Sequence, residues 1–282
     1  MSVNDSLKKL ALGEGLEKLE GFLDRKILGA PTGIQQIDET LLGLGALTIL
    51  QGSPGSNKST MALQIAMFNA RQGRPALIVD EENGRERTRV RLLSQYSGRS
   101  ETSLMRMRSE SPADFDRLLS SFSQLPIYIA SGIVTGPEEL ERVAEELVTQ
   151  TEDYAFLIVD SIQALPRISE EERANLEAWS KALDRIKLQH DGRLIIIATS
   201  EKGYAHFEQA SLAGAKGSSA ISYKGELIAD FRTIAPGRIR VEIVKNRDGA
   251  RGVCFDLELQ LEDPKVPSSF IFMLAPVARL PE

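Results

Sequence analysis

Nine consecutive residues carry the strongest chemical signal in the sequence. They are Gly52, Ser53, Pro54, Gly55, Ser56, Asn57, Lys58, Ser59 and Thr60. Their spacing is that of the P-loop motif, G-x-x-x-x-G-K-[ST], with Asn57 in place of the second glycine. In this motif main-chain N–H groups surround phosphate oxygens, the lysine reaches the β- and γ-phosphates, and the next hydroxyl ligates Mg²⁺. The sequence therefore predicts a nucleotide site in which Lys58 is catalytic and Ser59 is a metal ligand.

Asn57 is the one departure from the motif. Asparagine adopts left-handed backbone conformations more readily than other non-glycine residues, so it is compatible with the turn. Its side chain stands beside the phosphates, and we expect it to weaken nucleotide affinity or turnover. The alternatives are a Gly/Ser loop with an isolated lysine, or a degenerate domain that binds no nucleotide.

The elements that must position this loop are a strand before it and a helix after it. Residues 46–50 are an apolar run, and residues 61–67 continue a helix that begins near Lys58. The positive end of that helix faces the anion. Further strands are predicted at residues 76–79, 125–130, 155–159 and 194–198. Because these alternate with helical segments, we expect an α/β fold with a mostly parallel central sheet and helices on both faces.

The periodicity changes after residue 225. Apolar residues occupy every second position in residues 239–243 and 253–259, with a turn around residues 246–249. This pattern predicts a C-terminal antiparallel extension of the same domain, which we assign to residues 30–282. Residues 1–29 are predicted to be an N-terminal helical arm or linker, since apolar residues recur at helical spacing over residues 5–24. The arm either packs on its own domain or docks on a neighbouring subunit.

Composition limits the class of protein. Apolar residues make up 42% and charged residues 26% of the chain, as in ordinary globular proteins. The net charge of −6 argues against a broadly basic surface but allows a local basic channel. A single cysteine, Cys254, excludes an intrachain disulfide and fits a reducing compartment. No apolar run is long enough to span a membrane and no signal peptide is evident, so a cytoplasmic location is expected.

Carboxylates follow three of the predicted strands. Ligands of parallel α/β sheets bind at the carboxyl ends of the strands. Asp160 ends an apolar run, as in a Walker B motif, and would support Mg²⁺; alternatively it caps a helix. Glu81 and Glu82 follow the second strand, where a general base for the attacking water could stand. Glu201 follows the fifth strand as either a γ-phosphate sensor or a solvated loop acid.

Taken together, these segments resemble RecA-fold P-loop ATPases, nearest to the ATPase domain of DnaB-type replicative helicases, with features shared by RadA and KaiC proteins. The resemblance extends over roughly residues 30–260, and its matching segments are 31–38 with Gly43-Leu44, 82–94, 125–129, 159–163 and 245–249. It implies a RecA-like fold, ATP and Mg²⁺ as cofactors, and Asp160 as a residue that supports the metal. It also selects Glu82 over Glu81 as the catalytic glutamate.

The segment 245–249 resembles the K-N-R-x-G turn of the helicases. In that family the lysine and arginine reach across the subunit interface to a neighbour's γ-phosphate, so the resemblance implies that Lys245 and Arg247 are catalytic in trans. Such residues require a head-to-tail homo-oligomer, either a ring, for example a hexamer, or a filament. The alternative is a solvated hairpin turn.

Some features depart from the helicase pattern. Glu201 stands where helicases typically have a glutamine, and an acid there would repel the γ-phosphate unless it is protonated or paired, for example with Lys202. Residues 166–173 are acidic where the resemblance implies a channel-facing loop, which disfavours DNA contact. A second loop interleaves cations with aromatic residues and is either a single-stranded DNA contact or a flexible surface loop. Its residues of interest are Lys202, Tyr204, His206, Phe207, Lys216 and Lys224.

Two hypotheses from different classes follow. The leading one is an ATP-binding, Mg²⁺-dependent oligomeric ATPase that acts on single-stranded DNA as a helicase, translocase or recombination-type motor, with no membrane partner. The rival is a KaiC-like nucleotide-dependent switch or scaffold with slow turnover and protein partners. Asn57, Glu201, the acidic loop and the net negative charge favour the rival.

Overall fold

The computed structural model describes residues 29–190, 192–201, 224–263, 265 and 270–277. The predicted arm over residues 5–24 lies outside the described residues. Within them the strands are β1 (Leu47–Gly52), β2 (Ala76–Asp80), β3 (Ile127–Ile129), β4 (Ala155–Asp160), β5 (Leu194–Glu201), β6 (Leu227–Ala235), β7 (Arg238–Asn246), β8 (Cys254–Leu261) and β9 (Phe270–Pro276). The α-helices are α1 (Gln35–Leu41), α2 (Lys58–Ala70), α3 (Arg85–Ser97), α4 (Glu101–Glu110), α5 (Pro112–Phe122), α6 (Pro137–Val148) and α7 (Glu172–Gln189). None of these helices is long and apolar enough to cross a membrane.

The strands form one sheet in the order β3-β2-β4-β5-β1-β6-β7-β8-β9. All pairs from β3 to β6 are parallel, and the pairs from β6 to β9 are antiparallel. The predicted mostly parallel sheet with a C-terminal antiparallel extension is therefore confirmed. We call the edge where β1, β2, β4 and β5 end the carboxyl edge, and the edge where they begin the amino edge.

Helices cover both faces of the parallel part, as predicted. Every residue of β1, β2 and β4 is buried, which explains why these strands read as continuous apolar runs. Successive residues of a strand face opposite sides of the sheet and pack into two separate hydrophobic clusters. Ile78 packs with α2 on one face, and Val79 packs with α6 and α7 on the other. The helix after the P-loop is thus held against one face, and the helix after the Walker B strand against the other.

Several observed elements were not predicted from the sequence, namely α1, α4, α5, β6 and β9. Strand β6 was missed because Asp230 and Arg232 interrupt its apolar pattern. Helix α5 contains no buried residue, so its pattern carries no strong core signal. Strand β6 matters most for the site, because it pairs in parallel with β1, the strand that leads into the P-loop.

Candidate nucleotide-binding site

The P-loop connects β1 to α2 at the carboxyl edge, as the sequence predicts. Gly52 is the last residue of β1, and α2 begins at Lys58. A Cβ atom at Gly52 would lie 2.4 Å from the carbonyl oxygen of Phe231, so this position accepts only glycine without a backbone shift. Gly55 adopts a φ of +75°, a conformation that favours glycine. The Gly52 position therefore requires glycine, and the Gly55 position favours it.

Asn57 occupies the left-handed backbone region, with φ 66° and ψ 23°. This conformation is the one expected for the glycine that Asn57 replaces, so the prediction that asparagine tolerates the turn is confirmed. The Asn57 Oδ1 atom accepts a hydrogen bond from the Thr60 hydroxyl at 3.3 Å. The amide side chain is therefore engaged with the first turn of α2.

Lys58 is 8% exposed, and its ammonium donates to the carbonyl oxygens of Gly52 at 3.1 Å and Ser53 at 2.9 Å. Burial lowers the pKa of Lys58, and nearby carboxylates partly oppose this effect. These carboxylates belong to Asp160, Glu201, Glu82 and Asp230. Four acids, each from a different strand or from the turn that follows it, therefore act on the Lys58 ammonium.

Asp230 is one of the site residues that the sequence analysis missed. It is fully buried on β6 and lies opposite Gln51 of β1 in the strand register. The available signal was a charged residue in the middle of the apolar run Leu227–Phe231. A buried charge in a strand interior is uncommon and marks a special environment.

Asp160 and Ser59 meet at the carboxyl edge. The Ser59 hydroxyl donates to Asp160 Oδ1 at 3.0 Å, and the Thr199 hydroxyl donates to the same oxygen at 2.5 Å. Asp160 is 3% exposed, and its Oδ2 atom has no hydrogen-bond partner among the described residues. Burial raises the pKa of this carboxyl, although the two hydroxyl bonds oppose the rise. Asp160 receives hydroxyl groups rather than helix N–H groups, so it is not the helix cap considered as its alternative.

The two glutamates after β2 have different surroundings. The Glu81 carboxylate accepts the Gly132 N–H at 2.9 and 3.0 Å, which ties it to the loop after β3. Glu82 belongs to the acid group around Lys58: partial burial raises its pKa, and Asp160 and Glu201 raise it further. Glu82 is therefore the member of this pair whose charge acts on the P-loop lysine.

Asp80 fixes the turn that carries these glutamates. Its Oδ1 atom accepts the backbone N–H of Glu82 at 3.1 Å and of Asn83 at 2.8 Å. Its Oδ2 atom accepts the Thr88 hydroxyl at 2.6 Å, which joins the turn to α3. The position of Glu82 is therefore set by a buried carboxylate one strand away from Asp160.

Glu201 is the last residue of β5 and lies opposite Gly52 in the strand register. The Gln163 amide links the ends of β4 and β5: its Nε2 donates to the Ser200 hydroxyl at 2.9 Å, and its Oε1 accepts the Glu201 N–H at 3.3 Å. Glu201 therefore stands on a strand end beside the P-loop. Its proposed partner Lys202 lies outside the described residues.

Lys245 and Arg247 are not part of this group. Strand β7 runs antiparallel to β6, so its end lies at the amino edge, where Lys245 pairs with Ile228. Gly52 pairs with Phe231, three residues further along β6, which corresponds to about 10 Å at roughly 3.3 Å per residue. Lys245 is half-buried, and both burial and the charge of Arg247 lower its pKa. The structure thus separates these two residues from the chain's own P-loop.

Comparison with known proteins gives consistent likenesses. Residues 15–205 match the family profile described as an AAA domain. The DNA repair protein RadA of Mycobacterium tuberculosis is similar, with 27% identity over 254 aligned residues that cover 86% of this chain and 45% of that protein. The chain therefore spans less than half the length of this relative.

Two solved structures share the fold. A DnaB-like replicative helicase, described together with its interactions with primase, superposes with a TM-score of 0.79 at 14% identity, covering 97% of this chain and 70% of that chain. A second structure, described as an ATPase domain, superposes with a TM-score of 0.78 at 15% identity, covering 98% of this chain and 99% of that chain. At such identities the likeness concerns the fold.

Proposed function

Because the chain belongs to the AAA domain family and has a RecA-like P-loop ATPase fold, we propose that it is a Mg²⁺-dependent ATPase that assembles head to tail and acts on single-stranded DNA. The observation that carries the ATPase part is the meeting of Ser59 with Asp160 beside the buried ammonium of Lys58. Asp160 ends β4, whereas Lys58 and Ser59 lie in the first turn of α2. Together they provide the residue types that nucleotide and metal require.

The P-loop would bind the triphosphate. Its backbone N–H groups and the positive end of α2 attract phosphate oxygens. Lys58 at present donates to two neutral carbonyl groups, and phosphate oxygens are stronger acceptors for an ammonium. We therefore expect Lys58 to exchange these partners when nucleotide binds.

Ser59 and Asp160 would hold Mg²⁺. The residues fit, because Mg²⁺ prefers oxygen ligands and the buried Oδ2 atom of Asp160 is without a hydrogen-bond partner among the described residues. The ion would neutralise phosphate charge during phosphoryl transfer. The Thr199 hydroxyl keeps the Asp160 carboxylate oriented.

Glu82 would orient the attacking water and accept its proton. A carboxylate is the better base when its pKa lies closer to the working pH. Burial, together with the acids around Glu82, raises the pKa of this carboxyl and so moves it in that direction. Glu81 is less suited to this role, since both of its carboxylate oxygens accept the Gly132 N–H.

Lys245 and Arg247 would complete the site of a neighbouring copy. Their place at the amino edge, away from the chain's own P-loop, supports action in trans. Cations that approach the γ-phosphate from a neighbour stabilise the charge of the transition state. This role requires head-to-tail contacts between copies and hence a ring or a filament.

The DNA part of the proposal is supported by the relatives, since one is named a DNA repair protein and another a DnaB-like replicative helicase. Of the candidate DNA-binding loop, only Lys224 lies within the described residues, and it forms an ion pair with Asp184. The second candidate function is a slow nucleotide-operated switch. It is favoured by the four acids near Lys58, which would oppose the γ-phosphate unless metal or protons neutralise them.

The test is ATP turnover of the full chain with and without single-stranded DNA, alongside solution mass with and without nucleotide. We expect Lys58→Ala to abolish turnover, because it removes the ammonium that faces the phosphates. The matched control is Lys181→Ala, since Lys181 is exposed on α7 and should be neutral. Normal hydrolysis by Lys58→Ala would contradict the ATPase proposal. If single-stranded DNA does not change ATP turnover and no salt-sensitive DNA binding is found, the switch is favoured.

A further inference from the structure

Strand β5 continues at the carboxyl edge beyond its ladder with β4. The described pairs of these two strands end at Val159 of β4. Three further residues of β5, Thr199, Ser200 and Glu201, pair on their other side with the last residues of β1, which lead into the P-loop. We call residues 199–201 the β5 end. Whatever fixes the β5 end on the side of β4 therefore also sets its place beside the P-loop.

The β5 end carries two side chains of the candidate site. Thr199 is fully buried, and its hydroxyl donates to Asp160 Oδ1 at 2.5 Å. Glu201 lies opposite Gly52, the first glycine of the P-loop, in the strand register. The orientation of the Asp160 carboxylate and the place of Glu201 therefore both depend on where the β5 end lies.

The Gln163 side chain binds the β5 end on the side of β4. Its Oε1 atom accepts the Glu201 N–H at 3.3 Å, and its Nε2 atom donates to the Ser200 hydroxyl at 2.9 Å. A β ladder consists of hydrogen bonds between the backbone N–H and C=O groups of adjacent strands. A side-chain amide offers the same two kinds of group. Gln163 therefore continues the ladder past the last described pair of β4 and β5.

The turn that carries Gln163 is itself fixed by buried contacts. Gln163 lies in a short 3₁₀ helix, Ile162–Ala164, and Leu165, which follows it, is 3% exposed. The indole N–H of the fully buried Trp179 on α7 donates to the Pro166 carbonyl at 3.0 Å. Packing and hydrogen bonds on both sides preorganise a side chain that has to hold another group in place. The amide of Gln163 is thus a fixed point against which the β5 end is held.

We propose that Gln163 is a positioning residue that holds the β5 end beside the P-loop, so that Thr199 keeps the Asp160 carboxylate oriented for metal binding. The inference rests on the proposed function, because it gives Gln163 a part in ATP hydrolysis. Gln163 acts through the Ser200 hydroxyl and the Glu201 backbone. The path from its amide to Asp160 consists of these hydrogen bonds, one strand segment and the Thr199 hydroxyl.

The first experiment measures ATP turnover and amide hydrogen exchange of the full-length Gln163→Met protein. Methionine is similar to glutamine in length, but it has no amide to form the two hydrogen bonds. We expect kcat to fall about tenfold, because small displacements of positioned groups can cost up to about 10²-fold. The KM for ATP should stay within about twofold, since the P-loop is unchanged. Without nucleotide and metal, the Glu201 amide should exchange about tenfold faster, because it loses its acceptor.

The matched control is Gln64→Met. The Gln64 amide also binds a strand at both ends: Nε2 donates to the Leu274 carbonyl at 2.9 Å, and Oε1 accepts the Leu274 N–H at 2.8 Å. Both glutamines are half-buried, and Leu274 belongs to β9 at the far end of the sheet order. We expect the control to speed exchange of the Leu274 amide and to leave turnover unchanged. An equal loss of turnover in both variants would contradict the inference.

The second experiment tests the path through Thr199. Thr199→Val removes the hydroxyl that orients Asp160, and loss of such a partner lowers metal affinity by roughly 10-fold to 100-fold. The Mg²⁺ concentration for half-maximal turnover should rise by this factor. In Gln163→Met it should rise by only about threefold, since the metal ligand keeps its hydroxyl partner. The double variant should match Thr199→Val alone, because both changes act on the same contact. Additive effects would overturn the path.

Lys58→Ala distinguishes the possible failures. If this variant is inactive while Gln163→Met retains wild-type turnover, the role of Gln163 is overturned and the proposed function stands. If Lys58→Ala hydrolyses ATP normally, both proposals fall. If Gln163→Met does not fold, Ser200→Ala replaces it and removes one of the two hydrogen bonds. We then expect a loss of about threefold in kcat with an unchanged KM, and wild-type turnover would overturn the inference.

Discussion

Each edge of the central sheet places a lysine near a cluster of charges. Negative charges predominate around the lysine at one edge, and positive charges predominate around the lysine at the other. At the carboxyl edge, Lys58 is surrounded by four carboxylates and donates to two carbonyl oxygens. At the amino edge, the charges that act on Lys245 include those of Arg247, Glu226 and Lys187, two cations and a carboxylate. The first environment stabilises a cation, the Lys58 ammonium. The second is rich in positive charge and is suited to an approaching anion.

The comparison suggests a division of labour between the edges. The carboxyl edge brings together Lys58, Ser59 and Asp160, the groups that we propose to bind nucleotide and metal within a single chain. The amino edge holds Arg247, which is exposed and lies away from the chain's own P-loop. If this division is correct, substitutions at the amino edge should change turnover without changing nucleotide affinity.

The largest expected effect is that of Arg247→Ala. We expect kcat to fall by about 10³-fold to 10⁵-fold, which is what a cation that reaches the γ-phosphate from a neighbour contributes. The affinity for ATP should change little, since the P-loop of the same chain is intact. Steady-state kinetics together with equilibrium binding of a fluorescent ATP analogue would measure both quantities.

The control for this prediction is Arg251→Ala, which removes an exposed arginine from the same β7–β8 connection. It should retain wild-type turnover. A loss of ATP affinity in Arg247→Ala equal to its loss of kcat would break the comparison, because it would place Arg247 in the binding site of its own chain.

The next effect concerns the neighbouring glutamates at the carboxyl edge. We expect Glu82→Gln to lower kcat by about 10²-fold to 10⁴-fold, the usual contribution of a general base, while ATP still binds. Glu81→Gln should have a much smaller effect, because Glu81 accepts a backbone N–H from Gly132. Single-turnover hydrolysis with prebound nucleotide measures the chemical step. The reverse order of effects would show that the wrong glutamate has been assigned.

The pH dependence of the hydrolysis step gives a further test of Glu82 as the general base. Burial and nearby acids raise the pKa of Glu82, and a general base works only when deprotonated. Hydrolysis should therefore decline on the acidic side at a higher pH than an ordinary glutamate would give.

Sequence predicted the carboxyl edge better than the amino edge for a physical reason. The loop from Gly52 to Thr60 depends on local backbone geometry and on its own helix, so its pattern is contained in one segment. Asp160 and Glu82 follow apolar runs, and parallel strands bring such positions together at one edge. The predicted separation of roles between Glu81 and Glu82 came from resemblance, and the contacts of Glu81 supply a physical basis for it.

The ion pair between Lys187 and Glu226 at the amino edge could not be predicted in the same way. These two residues are 39 residues apart in sequence and meet only because α7 packs beside the start of β6. Asp230 was missed for a related reason, since only the β1–β6 pairing places it near the P-loop. No local pattern encodes these contacts. Parallel pairing of β6 with β1 was itself hidden by the charged residues inside β6.

The smallest expected effect tests whether the Asp160 carboxylate at the carboxyl edge lowers the stability of the folded protein. Burial raises the pKa of Asp160, so ionising this group costs more in the folded chain than in the unfolded chain. The folded protein therefore binds the proton more tightly, and stability is lost as pH rises through the folded pKa. Asp160→Asn removes this cost, because asparagine can still accept the Ser59 and Thr199 hydroxyls without carrying charge.

We therefore expect Asp160→Asn to raise the Tm of the nucleotide-free and metal-free protein by roughly 2 °C at neutral pH. The difference should shrink as pH falls and disappear below the unfolded pKa of about 4, where the wild-type group is neutral in both states. Thermal unfolding from pH 4 to pH 8, roughly the range that brackets this titration, measures the trend. Glu201→Gln is the comparison variant at the same edge. A loss of stability at neutral pH would mean that the Asp160 carboxylate is retained for the fold and not for an ion that binds there. A gain that does not change with pH would mean that the cost of ionising Asp160 is not its source.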